Sequence, residues 1–139
     1  MRVFLDTNVL VSAFGTRGIC TDVLHVVLVE HQLVLGETVL KEVGRILREK
    51  FRLPDEAIQE AQALLRREAA VISTAAPVEI ELRDADDVQV LGEAVAALSD
   101  VLVTGDRDFL DVADHLPIET VSPRGFWEKL QGGRQPGGL

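Results

Sequence analysis

The 139-residue sequence carries one cysteine, Cys20. A single cysteine excludes an internal disulfide framework and suits a reducing compartment. Long apolar runs are missing as well, since no stretch approaches the ~20 residues of a membrane-spanning helix. The chain opens on MRVFLDTN, without a basic start, an apolar run and a cleavage site, so a cytoplasmic protein is expected. Positive charge is scarce: 14 Lys and Arg stand against 23 Asp and Glu, a formal net charge of −9. That balance argues against nucleic acid held by a broad basic face. The acid is concentrated, with eleven acidic residues from Glu81 to Glu119 against two basic ones, Arg83 and Arg107. An acidic cluster still faces a phosphodiester when divalent cations stand between them, so net charge does not separate a non-binder from a metal nuclease. His25, His31 and His115 are scattered, with no acid in a catalytic spacing, and read as structural or surface residues. No serine elbow is present, and Gly15-Thr16-Arg17-Gly18 lacks the lysine and hydroxyl residue of a phosphate loop.

What is there is ordinary soluble material, 47% hydrophobic and 27% charged, in a length that fits one domain. Residues 1–131 read as that domain, and the final stretch 132–139 as a disordered tail. RVFL (2–5) reads as a buried strand ending at Asp6. A helical pattern follows through Val9, Leu10, Ala13 and Phe14, and Gly15 and Gly18 break it. Thr21 is expected to cap a helix to Glu30. QLVL (32–35) is the second strand, and Thr38 is expected to cap a helix to about Phe51. Pro54, Asp55 and Glu56 open a helix to about Ala69, AVIS (70–73) is the third strand and residues 74–85 a loop. A helix from about Asp87 to Leu98, a strand at 101–104, a short helix, a strand at 118–121 and a helix from Ser122-Pro123 complete the chain. Strands that alternate with helices imply a parallel sheet covered on both faces. Ligands of such sheets sit beyond the carboxyl ends of the strands, which places Asp6 and Asp106 on one rim.

Asp6 ends a buried strand, where an ionised group is costly unless a cation answers it. With Thr7 and Asn8 it could also simply cap the following helix, a reading that weighs most for Asn8. Glu42 lies at the border of an apolar helix face, and from pattern alone it is an ordinary boundary glutamate. Asp84, Asp86 and Asp87 precede a helix whose dipole favours acid. Asp87 shares phase with Leu91, Ala94 and Leu98 and is expected to face inward, whereas Asp86 points elsewhere. Asp106 follows Gly105 closely after a strand. Asp108 is either a further acid or the cap of the short helix. Four carboxylates without paired histidines suit Mg²⁺ or Mn²⁺ rather than Zn²⁺, and such ions can drive displacement at phosphorus. Lys41, Arg45, Arg48 and Arg52 form a stripe that reads as a solvated helix face, as a phosphate track or as a docking strip for an acidic partner.

Two segments carry a family resemblance. VFLDTNVLVSA resembles the opening of PIN domains, and DADDVQVLGEAVAALSDVLVTGDRDFL resembles their second block, in which an acid begins a helix and a strand ends in Thr-Gly-Asp. The likeness runs from residue 1 to about 125 and is nearest to VapC-type toxin components. It implies a three-layer α/β/α fold with a mostly parallel five-stranded sheet. It also implies a catalytic metal site of Asp6, Glu42, Asp87 and Asp106, supported by Thr7, Asn8 and Thr104, with Asp108 auxiliary. The implied activity is Mg²⁺- or Mn²⁺-dependent cleavage of RNA, by a protein that is often a homodimer silenced by a small antitoxin. The alternatives are a nuclease that processes RNA or acts on DNA without a toxin role, and a non-catalytic binding module. A phosphohydrolase would want an acid where Asn8 stands, and a receiver-like domain a lysine near the last strand.

Overall fold

The computed structural model describes residues 1–133. Five short strands form one sheet: β1 (Arg2–Leu5), β2 (Gln32–Gly36), β3 (Ala70–Ile72), β4 (Val101–Val103) and β5 (Glu119–Val121). Their order is β3-β2-β1-β4-β5 and every neighbouring pair is parallel. A parallel neighbour is reached only through a crossover, and helices supply each one. Helices α1 (Thr7–Gly15) and α2 (Ile19–Glu30) join β1 to β2, and α3 (Glu37–Glu49) and α4 (Asp55–Glu68) join β2 to β3. Helix α5 (Ala85–Ala96) leads into β4, α6 (Arg107–Leu110) and a 3₁₀ turn lead into β5, and α7 (Pro123–Gly133) closes the described chain. The expected three-layer α/β/α architecture is present, and the sheet is wholly parallel.

The strands are apolar runs rather than alternating patterns because both sheet faces are covered. Val3, Phe4 and Leu5 of β1 and Val101, Leu102 and Val103 of β4 are all fully buried. Phe4 registers with Val34 on one side and Leu102 on the other. The chain builds outward from β1 in both directions, so its winding reverses between β1 and β4. A crevice therefore opens beyond the carboxyl ends of these two strands. Among the described residues no single helix is long and apolar enough to cross a membrane.

Several local expectations are corrected. Helix α2 begins at Ile19, capped by Gly18 at φ 147°, rather than at Thr21. The Thr21 hydroxyl instead donates to the carbonyls of Ala13 and Thr16, tying the α1–α2 corner. Helix α3 begins at Glu37 after Gly36, with no cap from its own N-terminal side chain. Leu98, expected on the inner face with Asp87, lies past the end of α5 in a left-handed conformation and is exposed. Arg52 falls beyond α3 and so leaves the basic stripe. Helix α7 continues through Gly132 and Gly133, into the stretch expected to be a tail. The remainder of that stretch lies outside the described residues.

Candidate metal centre

Asp6 is the hub of the rim. It caps α1, with Oδ1 accepting from the Thr7 amide at 2.8 Å. Oδ2 accepts from the Thr104 hydroxyl at 2.8 Å and from Asn8 Nδ2 at 3.2 Å. Asp6 is buried, and burial is the main cause that raises its pKa above the ordinary carboxylate range. The hydrogen bonds from Thr104 and Thr7 oppose that rise, and the charges of Glu42 and Asp106 add to it. The cap expected of Asn8 belongs to Asp6. Asn8 bridges instead, its Oδ1 accepting from the Gly105 amide at 2.7 Å.

The β4 end is locked to this hub. Thr104 is fully buried, and its hydroxyl donates to Asp6 while accepting from the Asp106 amide at 3.0 Å. That uses both faces of a group that both donates and accepts. Asp106 caps α6, its Oδ1 accepting from the Asp108 amide at 2.9 Å. Asp108, the alternative for that cap, is inside the helix, and its carboxylate is left to face the cleft acids. Asp87 arrives from the first turn of α5, whose cap is Asp84. Carboxylate oxygens of Asp87, Asp106 and Asp108 lie within 4.8 Å of one another. Asp87 is half-buried, and its pKa is pushed up to about 7. Burial is the largest cause, followed by the charges of Asp106, Asp6, Asp84 and Asp108. The share of that rise that comes from neighbouring anions is also a reason for the site to take a cation.

Glu42 enters from α3 on the other wall. Its Oε2 accepts from the Thr7 hydroxyl at 3.2 Å, and Oε1 lies 3.7 Å from Arg45. The structure thus places Asp6, Glu42, Asp87 and Asp106 around one cleft of about 360 Å³, together with Thr7 and Asn8. The tight oxygen cluster is Asp87, Asp106 and Asp108, of which Asp108 lines a neighbouring cavity rather than this cleft, while both Asp6 and Glu42 accept side-chain hydrogen bonds across it. Of the basic stripe, Arg45 also pairs with Glu49 at 3.1 Å and Arg48 with Asp55 at 3.4 Å. Lys41 is exposed.

Sequence reasoning missed Glu93. It lies on α5, almost fully buried, and accepts from the Thr38 amide at 3.3 Å, the Thr38 hydroxyl at 2.7 Å and Gln89 Nε2 at 3.1 Å. It therefore supplies in trans the cap that Gly36 cannot give α3. A lone charge inside the apolar run VLGEAVAAL was the available signal.

A family model described as PIN domain matches residues 2–108. No curated protein matches the sequence. Among the solved structures that share the fold are two toxin–antitoxin complexes. The first is VapBC2 from Rickettsia felis bound to a DNA fragment from their promoter. It has a TM-score of 0.63 at 16% identity, over 88% of this chain and 98% of that one. The second is VapBC-1 from nontypeable Haemophilus influenzae. It has a TM-score of 0.61 at 16% identity, over 89% of this chain and 99% of that one. At such identity the likeness is one of fold.

Proposed function

The chain belongs to the PIN-domain family, and from that premise we propose that it is a divalent-metal-dependent endoribonuclease. The observation that carries the reading is the convergence of Asp87, Asp106 and Asp108 oxygens within 4.8 Å at the crevice between β1 and β4. An all-oxygen, multiply charged donor set suits Mg²⁺ or Mn²⁺. Asp87, Asp106 and Asp108 would hold the ion, with Asp6 and Glu42 completing the acidic wall. A divalent ion there supplies a lowered pKa for water and positive charge against the phosphodiester.

The chain's own residues do the rest. Asp6 holds Thr104, and Thr104 holds the Asp106 backbone, so both acids keep one geometry. Asn8 fixes the Gly105 turn from the other side. Arg45 lies beside Glu42 and offsets part of the acidic wall. Without a cation the cleft repels phosphate, which ties substrate approach to metal binding.

The role proposed for the nuclease is that of a toxin acting in the cytoplasm, held inactive by a small partner and assembled as a homodimer. The fold shared with VapBC2 and VapBC-1 supports the pairing with a small partner, and the homodimer and the cytoplasm are part of the proposal alone. The test is cleavage of a mixed RNA pool with Mg²⁺ or Mn²⁺, with chelator, and with the Asp87→Asn variant. Metal-dependent cleavage is expected to fall about 100-fold or more in the variant. A folded, metal-supplied protein that cleaves neither RNA nor single-stranded DNA overturns the reading. Growth arrest on expression, relieved by a co-expressed small partner, is the expected sign of the toxin role.

A further inference from the structure

The cleft does not stop at the acids. On α3, Glu42, Ile46 and Lys50 stand four residues apart and so form one row along the helix. Lys50 closes α3 with helical backbone angles, which keeps it in that row. On α1, Thr7, Val11 and Gly15 form the facing row. The rows meet at the metal end, where the Thr7 hydroxyl donates to Glu42, and at the far end the ring of Phe51, the residue after Lys50, lies against Gly15. Phe51 occupies the room that the glycine leaves, since a β-carbon at Gly15 would stand 2.5 Å from its ring. Val11, Ile46, Lys50 and Phe51 all line the same cavity as the acids. Phe51 and Ile46 are half-buried, and Lys50 is exposed and makes no ion pair among the described residues. Arg45 and Arg48, by contrast, are already paired with acids.

We infer that this extension is a nucleotide subsite, in which Val11, Ile46 and Phe51 receive the base of the nucleoside beside the scissile phosphate and Lys50 receives the next phosphate. The inference rests on the reading of the acids as a nuclease centre. An apolar and aromatic wall accepts the face of any base, so the contact adds affinity with little sequence preference. The single free ammonium at the far end then meets the flanking phosphate in a chain that otherwise repels polyanions. The face of a base is open only in an unpaired nucleotide, and a duplex keeps its faces stacked.

The test uses a short single-stranded oligoribonucleotide carrying 2-aminopurine, whose emission falls on stacking, with Mg²⁺ present. Cleavage and binding are followed in the wild type, Phe51→Ala, Phe51→Leu and Lys50→Gln. Because Phe51 packs on Gly15, Phe51→Leu preserves an apolar filling and Lys50→Gln changes only an exposed residue. Phe51→Ala is expected to weaken binding about 5- to 100-fold, seen in KM more than in kcat, with loss of the quench. Phe51→Leu recovers part of the affinity without the quench. Lys50→Gln is expected to lower the dependence of log Kd on log salt by about 0.7. Annealing the complementary strand, which itself stacks the probe, abolishes any further change on adding protein. A wild type that cleaves, with unchanged KM and salt slope in Phe51→Leu and Lys50→Gln, overturns the subsite and leaves the nuclease standing. Quenching that depends on Phe51 in a protein that cleaves nothing overturns the nuclease and, with it, the placement of the base beside a scissile phosphate, and leaves a site that only binds single strands. Absence of both binding and cleavage overturns both and assigns the apolar rows to a protein partner.

Discussion

An aspartate in the first turn of a helix ordinarily gains from the helix dipole, yet Asp87 holds its proton to about pH 7. Burial and the neighbouring aspartates outweigh the dipole, so the residue costs the apo fold stability whenever it is ionised. Well below its unfolded value of 3.8 it is protonated in both folded and unfolded chains and carries no penalty. Between the unfolded value of 3.8 and the folded value of about 7, the folded state binds more protons, so its stability falls as pH rises. Above pH 7 the penalty is fully present. In chelator, Asp87→Asn is therefore expected to be the more stable protein at pH 8, by about 1–2 kcal/mol after discounting for solvent exposure. The difference should vanish well below pH 3.8. Denaturant unfolding of both proteins across that range gives the answer, and parallel stability curves would show that neither burial nor the neighbouring acids raise the Asp87 pKa.

At the scale of elements, the cleft depends on how α3 and α5 are held together, because Glu42 rides on one and Asp87 on the other. Glu93 of α5 is the clamp, and Gly36 is what lets it reach: a β-carbon there would stand 1.9 Å from Glu93 Oε1 and 2.8 Å from its Cβ. Glu93→Ala leaves the Thr38 amide and hydroxyl unanswered and is expected to destabilise the fold by about 1–3 kcal/mol. Gly36→Ala forces the same carboxylate aside at a similar cost of about 1–3 kcal/mol. Because both break one contact, the double variant should lose much less than the sum of the two, as a double-mutant cycle would measure; full additivity would mean that Glu93 and Gly36 act independently. This clamp also marks the limit of what the sequence discloses. Strand ends placed Asp6 and Asp106 on one rim, and helical phase singled out Asp87, because strand and helix periodicity are local properties. Glu42 needed the family resemblance, since its hydrogen bond to Thr7 spans 35 residues. Glu93 and Thr38 are 55 residues apart, and only the fold brings them together. The Asp106 cap was misplaced by two residues because Asp106 and Asp108 are chemically equivalent candidates one short turn apart.

For the molecule as a whole, with a net charge of −9 and an acidic cleft, the proposed function makes a bound cation part of the folded protein's energetics. A ligand that binds only the folded state stabilises it by mass action, by about 2.7 kcal/mol at a hundredfold excess over Kd. Mg²⁺ or Mn²⁺ is therefore expected to raise Tm by several degrees, and NaCl at equal ionic strength to reproduce little of it, because screening acts on all charges and not on one site. Cation and proton compete for the same oxygens. With Asp87 protonated up to about pH 7, metal binding at pH 6 should expel about one proton and at pH 9 almost none. Calorimetric titration in two buffers of different ionisation enthalpy reads that proton directly, since the apparent heat differs between buffers in proportion to the protons released. The metal affinity must then rise with pH through neutrality and level off above it. A metal-induced Tm shift with equal heats in both buffers at pH 6 would place the cation elsewhere on the acidic surface, away from Asp87, and would remove the link between the crowded carboxylates and the metal that the proposed chemistry requires.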